Sequence, residues 1–258
     1  MKTILSAALL SMTALGAMAQ DVVIVGEIHD NPTHYATQAE IVAQVAPKAL
    51  VFEMLTPDQA KAITPENRED EARLKDALEW ESSGWPDFSM YYPIFAAAPK
   101  ARVYGGQVPR DVARAAFENG IATGFSGDPD TYGLTDALPE AQQNTREAMQ
   151  LAAHCDALPA EMLPGMVAIQ RLRDAELAHG VVQAMQDTGG PVALITGNGH
   201  ARKDWGVPSY LQRVASDLEV HVIGQTEDGV SLEGGFDEMR SAPAVAREDP
   251  CAAFTGNG

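Results

Sequence analysis

Positive charge is scarce in this chain. It carries 18 Lys and Arg against 36 Asp and Glu, a formal net charge of −18. Nucleic acid and anionic membrane both demand basic surface, so neither is expected as a partner. Long apolar runs are lacking too. The stretch from Ile4 to Leu15 is too short to span a bilayer, and no other segment qualifies, so no integral membrane segment is expected. Cysteine is limited to Cys155 and Cys251. Their wide spacing, with no CxxC pair, argues against a thiolate metal site. In an oxidising compartment an even pair is expected to be joined, which would pin the C-terminal tail to a helical region. Repeats and low-complexity segments are absent.

The first residues read as an export signal. Lys2 supplies a positive start, Ile4–Leu15 an apolar stretch, and Ala17-Met18-Ala19 a small-x-small cleavage site before Gln20. A signal peptide over residues 1–19 implies a periplasmic or secreted protein. No cysteine follows at once, so a lipid anchor is not expected. Residues 20–258 then suit a single domain with a substantial core.

Short β-branched runs alternate with helical stretches. Strands are expected at Val22–Val25, Ala49–Phe52, Arg102–Tyr104, Val192–Ile195 and Val220–Ile223. Helices are expected at Pro32–Val45, Pro109–Glu118 and Val207–Leu218, each with a proline near its first turn. Continuous apolar strands between helices predict an α/β fold: a mostly parallel central sheet flanked by helices. The longer helical segments, about 57–98 and 130–186, are expected to form a cap or lid. The first contains the helical stretch Pro65–Trp80 and the aromatic run from Trp85 to Pro93. The tail after Phe236 lacks pattern and is expected to be irregular.

Sites in such sheets form beyond the carboxyl ends of the strands. Glu27 and His29 follow the first strand, Glu53 the second. His200 follows Val192–Ile195 through Gly197-Asn198-Gly199. If the strand ends converge, His29, Glu53 and His200 have the chemistry to hold a divalent metal; alternatively the set, with Glu27, works as a metal-free acid/base group. Each alone has a plainer reading, as a cap, a loop hydrogen bond or a salt-bridge partner. Asp30 and Asn31 read as a capping turn before Pro32. Gln170, Arg173 and Asp174 share one helical face. Arg173 is placed there to pair with a strand-end carboxylate or to clamp an anion. The aromatic run reads first as core, yet such a wall also suits a flat apolar ligand, and tyrosine is a known ligand of haem iron.

The motifs Gly26-Glu27-Ile28-His29-Asp30-Asn31-Pro32 with His34, Val51-Phe52-Glu53-Met54, Gln170-Arg171-Leu172-Arg173-Asp174-Ala175, Gly197-Asn198-Gly199-His200 and Gly206-Val207-Pro208 together resemble the ChaN-like haem-binding uptake proteins. These sit within the Tiki/TraB and erythromycin-esterase-like superfamily. The resemblance implies an α/β core with a helical cap, haem held through a tyrosine, haems stacked at a homodimer interface, and a role in haem or iron acquisition. Tyr91, Tyr92 and Tyr104 are the candidate haem ligands, with Tyr35 an outsider. Other branches of the superfamily imply hydrolysis, with Glu27, His29, Glu53 and His200 as metal ligands or as the base that activates water, and Arg173 as polariser. Haem carriage alone does not explain why Glu27 and His29 stand together.

Overall fold

A computed structural model describes residues 20–249 and 251–252; the expected signal peptide lies outside the described residues. The sheet has six strands, β1 (Val22–Val25), β2 (Ala49–Phe52), β3 (Arg102–Gly105), β4 (Val192–Ile195), β5 (Val220–Glu227) and β6 (Glu238–Ala242), in the order β3-β2-β4-β1-β5-β6. Every pairing is parallel, so the expected α/β class holds. Four of the five expected strands have bounds within one residue of those read from sequence, while β5 runs on to Glu227.

The tail departs from expectation. Glu238–Ala242 is a strand where an irregular segment was expected. It pairs with β5 alone, so it is an edge strand with polar residues interleaved, and no continuous apolar run announces it. Beyond it the chain is tied down twice. Cys155 and Cys251 are joined, and Arg247 donates to both carboxylate oxygens of Glu227 at 2.8 Å and to the backbone carbonyl of His29 at 3.0 Å.

Successive strand residues point to opposite faces, and both faces are covered. Val22, Ile24, Ala49, Val51, Val192, Leu194 and Val222 pack with Ala116, Leu172, Ala178, Val181 and Leu211 from the Arg110–Asn119, Leu163–Thr188 and Val207–Val214 helices. Val23, Val25, Leu50, Phe52, Ala193 and Ile195 pack on the other face with Ile41, Val42, Leu74, Tyr91, Ile94 and Phe95 from the Pro32–Val45, Glu71–Ala77 and Phe88–Ala97 helices. Each aliphatic side chain buried this way contributes about 1.5–3 kcal/mol. The Leu163–Thr188 helix therefore packs along the sheet, and its N-terminal half reaches the carboxyl edge.

The stretch Pro65–Trp80 is broken rather than continuous. Asp70 caps a new helix by accepting from the Arg73 N–H at 2.9 Å. Just before it, buried Arg68 donates to the carbonyls of Phe95, Ala98 and Ala101, which closes the carboxyl end of Phe88–Ala97. Asn31 caps Pro32–Val45 as expected, accepting from the Thr33 N–H at 3.0 Å.

Register fixes where the site can be. Val25 and Phe52 both lie opposite Ile195. The three strands therefore end level, and Gly26, Glu53 and Thr196 leave the sheet side by side.

Candidate acid/base site and the Tyr104 groove

Gly26 opens the site because nothing larger fits. A Cβ there would stand 2.3 Å from the Asn198 Oδ1. Asn198 in turn accepts from the Gln225 N–H at 3.1 Å and donates to the Gln225 carbonyl at 2.7 Å. That side chain stitches the turn after β4 to β5.

Glu27 follows, buried. Its Oε1 accepts from His29 Nδ1 at 2.7 Å and from the Tyr91 hydroxyl at 3.0 Å, and its Oε2 from Gln38 Nε2 at 2.8 Å. With Nδ1 so engaged, His29 directs Nε2 toward Gly197, 3.2 Å from where a Cβ on that residue would lie. The His29 side chain is 40% exposed and meets the Trp85 ring at 5.3 Å between centroids.

A second histidine–carboxylate pair stands across the edge. His200 Nδ1 lies 2.6 Å from Oδ1 of Asp174, which is completely buried, and the Gln170 amide sits 3.1 and 3.2 Å from the two ring nitrogens. Between the pairs lies Glu53. Its Oε2 accepts from the Thr196 hydroxyl and the Gly197 N–H, both at 2.7 Å, while Oε1 stands 3.5 Å from His200 Nε2.

These environments push the groups apart. Burial would raise the Glu53 carboxyl, but His200, His29 and the Gly197 N–H outweigh it and hold it below the usual carboxylate range. Burial likewise would lower His200, yet Glu53 and Asp174 leave it raised. His29 is raised in the same way, burial being offset by its bond to Glu27 and the charges of Glu27 and Glu53. Burial raises Asp174, with His200 opposing. An ionised carboxylate beside a histidine inclined to keep its proton is an acid/base pair.

Glu27, His29, Glu53 and His200 thus share one strand edge, as the spacing predicted. Arg173 is near but separate: it is exposed, makes no hydrogen bond or ion pair among the described residues, and lines a cleft of about 250 Å³ that opens on Glu53. Asp174 was legible only as part of a helical face; its pairing with His200 was not. Gln38 went unread, and Trp85 was read only as part of the aromatic run. His34 is structural, accepting from the Ile28 N–H at 3.0 Å and donating to the Thr226 carbonyl at 3.2 Å.

His29, Glu53 and His200 converge at this edge, and among the described residues no group of three or more His, Cys, Asp or Glu is arranged in this structure to hold a metal ion. Nδ1 of each histidine is committed to a carboxylate, and Glu53 Oε2 to two donors. Tyr91 is also unsuited to ligate haem. It is fully buried, with its hydroxyl held between Glu27 and Tyr35. Burial, with Glu27 beside it, pushes the phenol far above its ordinary value.

Tyr92 and Tyr104 are half-buried. Tyr92 lies against Phe88 at the core margin. Tyr104, on β3, lines a groove of about 1200 Å³ together with Lys61, Lys100, Arg102, His179 and Asp187. Its hydroxyl donates to Asp187 Oδ2 at 2.9 Å, and the Arg102 guanidinium stands 5.2 Å from its ring centroid. Burial and Asp187 push the phenol up to about 12. No helix among the described residues is long and apolar enough to cross a membrane.

No curated protein matches the chain in sequence. Among solved structures it is similar to ChaN of Campylobacter jejuni, described with cofacially bound haem, at 19% identity over 84% of this chain and 85% of that one, with a TM-score of 0.66. It is also similar, more distantly, to the type III effector HopBA1, at 12% identity over 86% and 88% with a TM-score of 0.46. An erythromycin esterase in its open conformation matches at 13% identity over 81% and 71%, TM-score 0.44. The family model for haem-binding uptake proteins, Tiki superfamily, ChaN, matches residues 14–211. By that match, over most of its length and across both strand-end motifs, the chain belongs to the ChaN family of haem-binding uptake proteins.

Proposed function

We propose that this protein binds haem in the Tyr104 groove and serves haem or iron uptake in the periplasm. The observation that carries the reading is the grouping of Arg102, Tyr104 and Asp187 in a groove of about 1200 Å³. That space exceeds the usual range for a small-molecule pocket, which tops out at roughly 1,000 Å³, and so admits a macrocycle. Iron binds the phenolate, so a ligating tyrosine must release its proton; Asp187 is positioned to receive it, and the Arg102 charge favours the phenolate. Lys61 and Lys100 supply cations for the two propionates. The disulfide supports an oxidising compartment. In this reading the haem face turned away from Tyr104 stacks on that of a second copy, a geometry in keeping with the cofacial haem binding described for ChaN of Campylobacter jejuni.

Haemin titrated into the purified protein should give a saturable Soret shift with a tyrosinate charge-transfer band. Tyr104→Phe should abolish that band, while Tyr92→Phe and Tyr91→Phe retain it. Wild-type spectra from Tyr104→Phe would overturn the assignment.

A second reading rests on a different observation, the two histidine–carboxylate pairs flanking Glu53. In this reading the strand edge is a metal-free hydrolytic site. Glu53 takes a proton from water, whose oxygen bonds to the substrate carbonyl carbon. His200, steadied by Asp174, gives a proton to the leaving group as the acyl bond breaks. Turnover of esters, lactones or peptides that persists in chelator and disappears in Glu53→Gln supports it; equal activity in Glu53→Gln refutes it.

A further inference from the structure

The cleft of about 250 Å³ that opens on Glu53 has a one-sided chemistry. Its volume equals the share of roughly eight waters in the liquid, too small for haem and suited to a small molecule. Glu53, Trp85, Gln107, Arg110, Arg173 and Leu177 are among its lining. Arg173 makes no hydrogen bond or ion pair among the described residues. Among the described residues the Arg110 side chain gives one hydrogen bond, to the Ser83 carbonyl at 3.1 Å. The Trp85 indole N–H is buried with no hydrogen-bond partner. Against a net charge of −18, two guanidiniums at a single cleft, neither with a carboxylate partner among the described residues, form a local reversal of sign.

We propose that this cleft is the specificity pocket of the strand-edge site, built for a small substrate that carries a carboxylate. The inference rests on the acid/base reading of that edge. The carboxylate sits between Arg173 and Arg110, where a planar guanidinium offers two parallel N–H groups to two oxygens. The Trp85 ring and Leu177 supply apolar wall. Glu53 sets the other end of the molecule. As an ionised acceptor on the floor of the cleft, it repels a second anion and admits a neutral polar group, so the reacting carbonyl lies there, in reach of Glu53 and His200. A substrate of this kind is anionic at one end and neutral at the other. The same arrangement disfavours large neutral esters, which would outgrow the cleft and leave its two guanidiniums without an anion.

Benzoate, its neutral isostere benzamide, and phenylphosphonate serve as probes, titrated into the full-length mature protein in Tris chloride. The indole ¹⁵N–H signals of Trp80, Trp85 and Trp205 are followed, with Trp85→Phe assigning its own. Benzoate should shift the Trp85 signal saturably and leave the other two in place. Benzamide should bind about tenfold more weakly or worse, the scale of a lost charge-assisted hydrogen bond. Arg173→Gln should weaken benzoate about tenfold without affecting benzamide, while keeping the haemin titration of the parent, which shows that it folds. Equal binding of benzoate and benzamide, an unmoved Trp85 signal, or full benzoate affinity in Arg173→Gln would overturn the proposal; a preference for phenylphosphonate would overturn the choice of carboxylate. Benzoate binding that persists in a protein inactive toward every ester supports the pocket and counts only against the hydrolytic reading.

Discussion

Replacing Gly26 by alanine tests how the opening motif is held. The new Cβ would stand 2.3 Å from Asn198 Oδ1 and 3.3 Å from the Ala201 Cβ. The first contact is impossible, so the Asn198 side chain must leave. Its departure breaks the bonds to the Gln225 N–H and carbonyl at 3.1 and 2.7 Å. Two neutral hydrogen bonds are worth about 1 kcal/mol each, and leaving their buried partners unsatisfied adds to that. The expected cost of Gly26→Ala is therefore about 3 kcal/mol. For a chain of this length that corresponds to a fall in Tm of roughly 6–12 °C. Asn198→Ala should cost a similar amount, because it removes the same two bonds. The double variant Gly26→Ala/Asn198→Ala should cost about 3 kcal/mol, not about 6, because the clash has lost its target. Urea unfolding of the four proteins measures each value. Additive costs, or a Gly26→Ala variant as stable as the parent, would refute the reasoning. The same substitution loosens the Gly197–His200 turn, so activity at the strand edge should fall even where the protein stays folded.

Other expectations follow from the site and its supports. The depressed Glu53 carboxyl contributes stability that is present above its unfolded value of 4.5 and lost as pH falls through its folded value. The raised His200 and His29 contribute stability that is fully present below 6.5 and lost as pH rises through their folded values. The stability difference between parent and Glu53→Gln, from urea melts, should be largest between those limits and shrink on both sides; a flat difference refutes the coupling. Cys155 and Cys251 are 96 residues apart, and closing a loop of that size limits the unfolded chain by up to about 4.7 kcal/mol. Cys155→Ser/Cys251→Ser should lose much of this in urea melts, and reducing agent should no longer matter to it. Arg68→Met removes the donor to three carbonyls and should destabilise by about 2–4 kcal/mol, with faster amide exchange at the end of Phe88–Ala97.

The fold was legible where a single physical signal dominated. Strands buried on both faces read as unbroken apolar runs, so β1, β2 and β4 declared themselves, and with them the edge where Glu27, Glu53 and His200 lie. β6 was illegible because an edge strand beside exposed residues has no need of such a run. The surroundings of Tyr91 were illegible for a related reason: a phenol in an aromatic run shows its type but not whether its hydroxyl meets solvent or a buried carboxylate. Asp174 and Arg173 are adjacent in sequence, yet Asp174 is buried against His200 and Arg173 is exposed at the cleft. Helical periodicity put both near the edge, yet only the packing of Leu172 and Ala175 against the sheet decides which one turns inward. The partnership of Asp174 with His200 spans 26 residues, and nothing local records it.

The strand order has a consequence for how the chain is made. β1 is synthesised before the other five strands, yet its two neighbours are β4 and β5, paired at Val192 and Val220. The central strand therefore waits, unpaired on both sides, until most of the polypeptide exists. No stable intermediate holding the middle of the sheet is available to a nascent chain. The arrangement that seats Glu27 in the middle of the sheet therefore defers the sheet's closure until β4 and β5 have both been made.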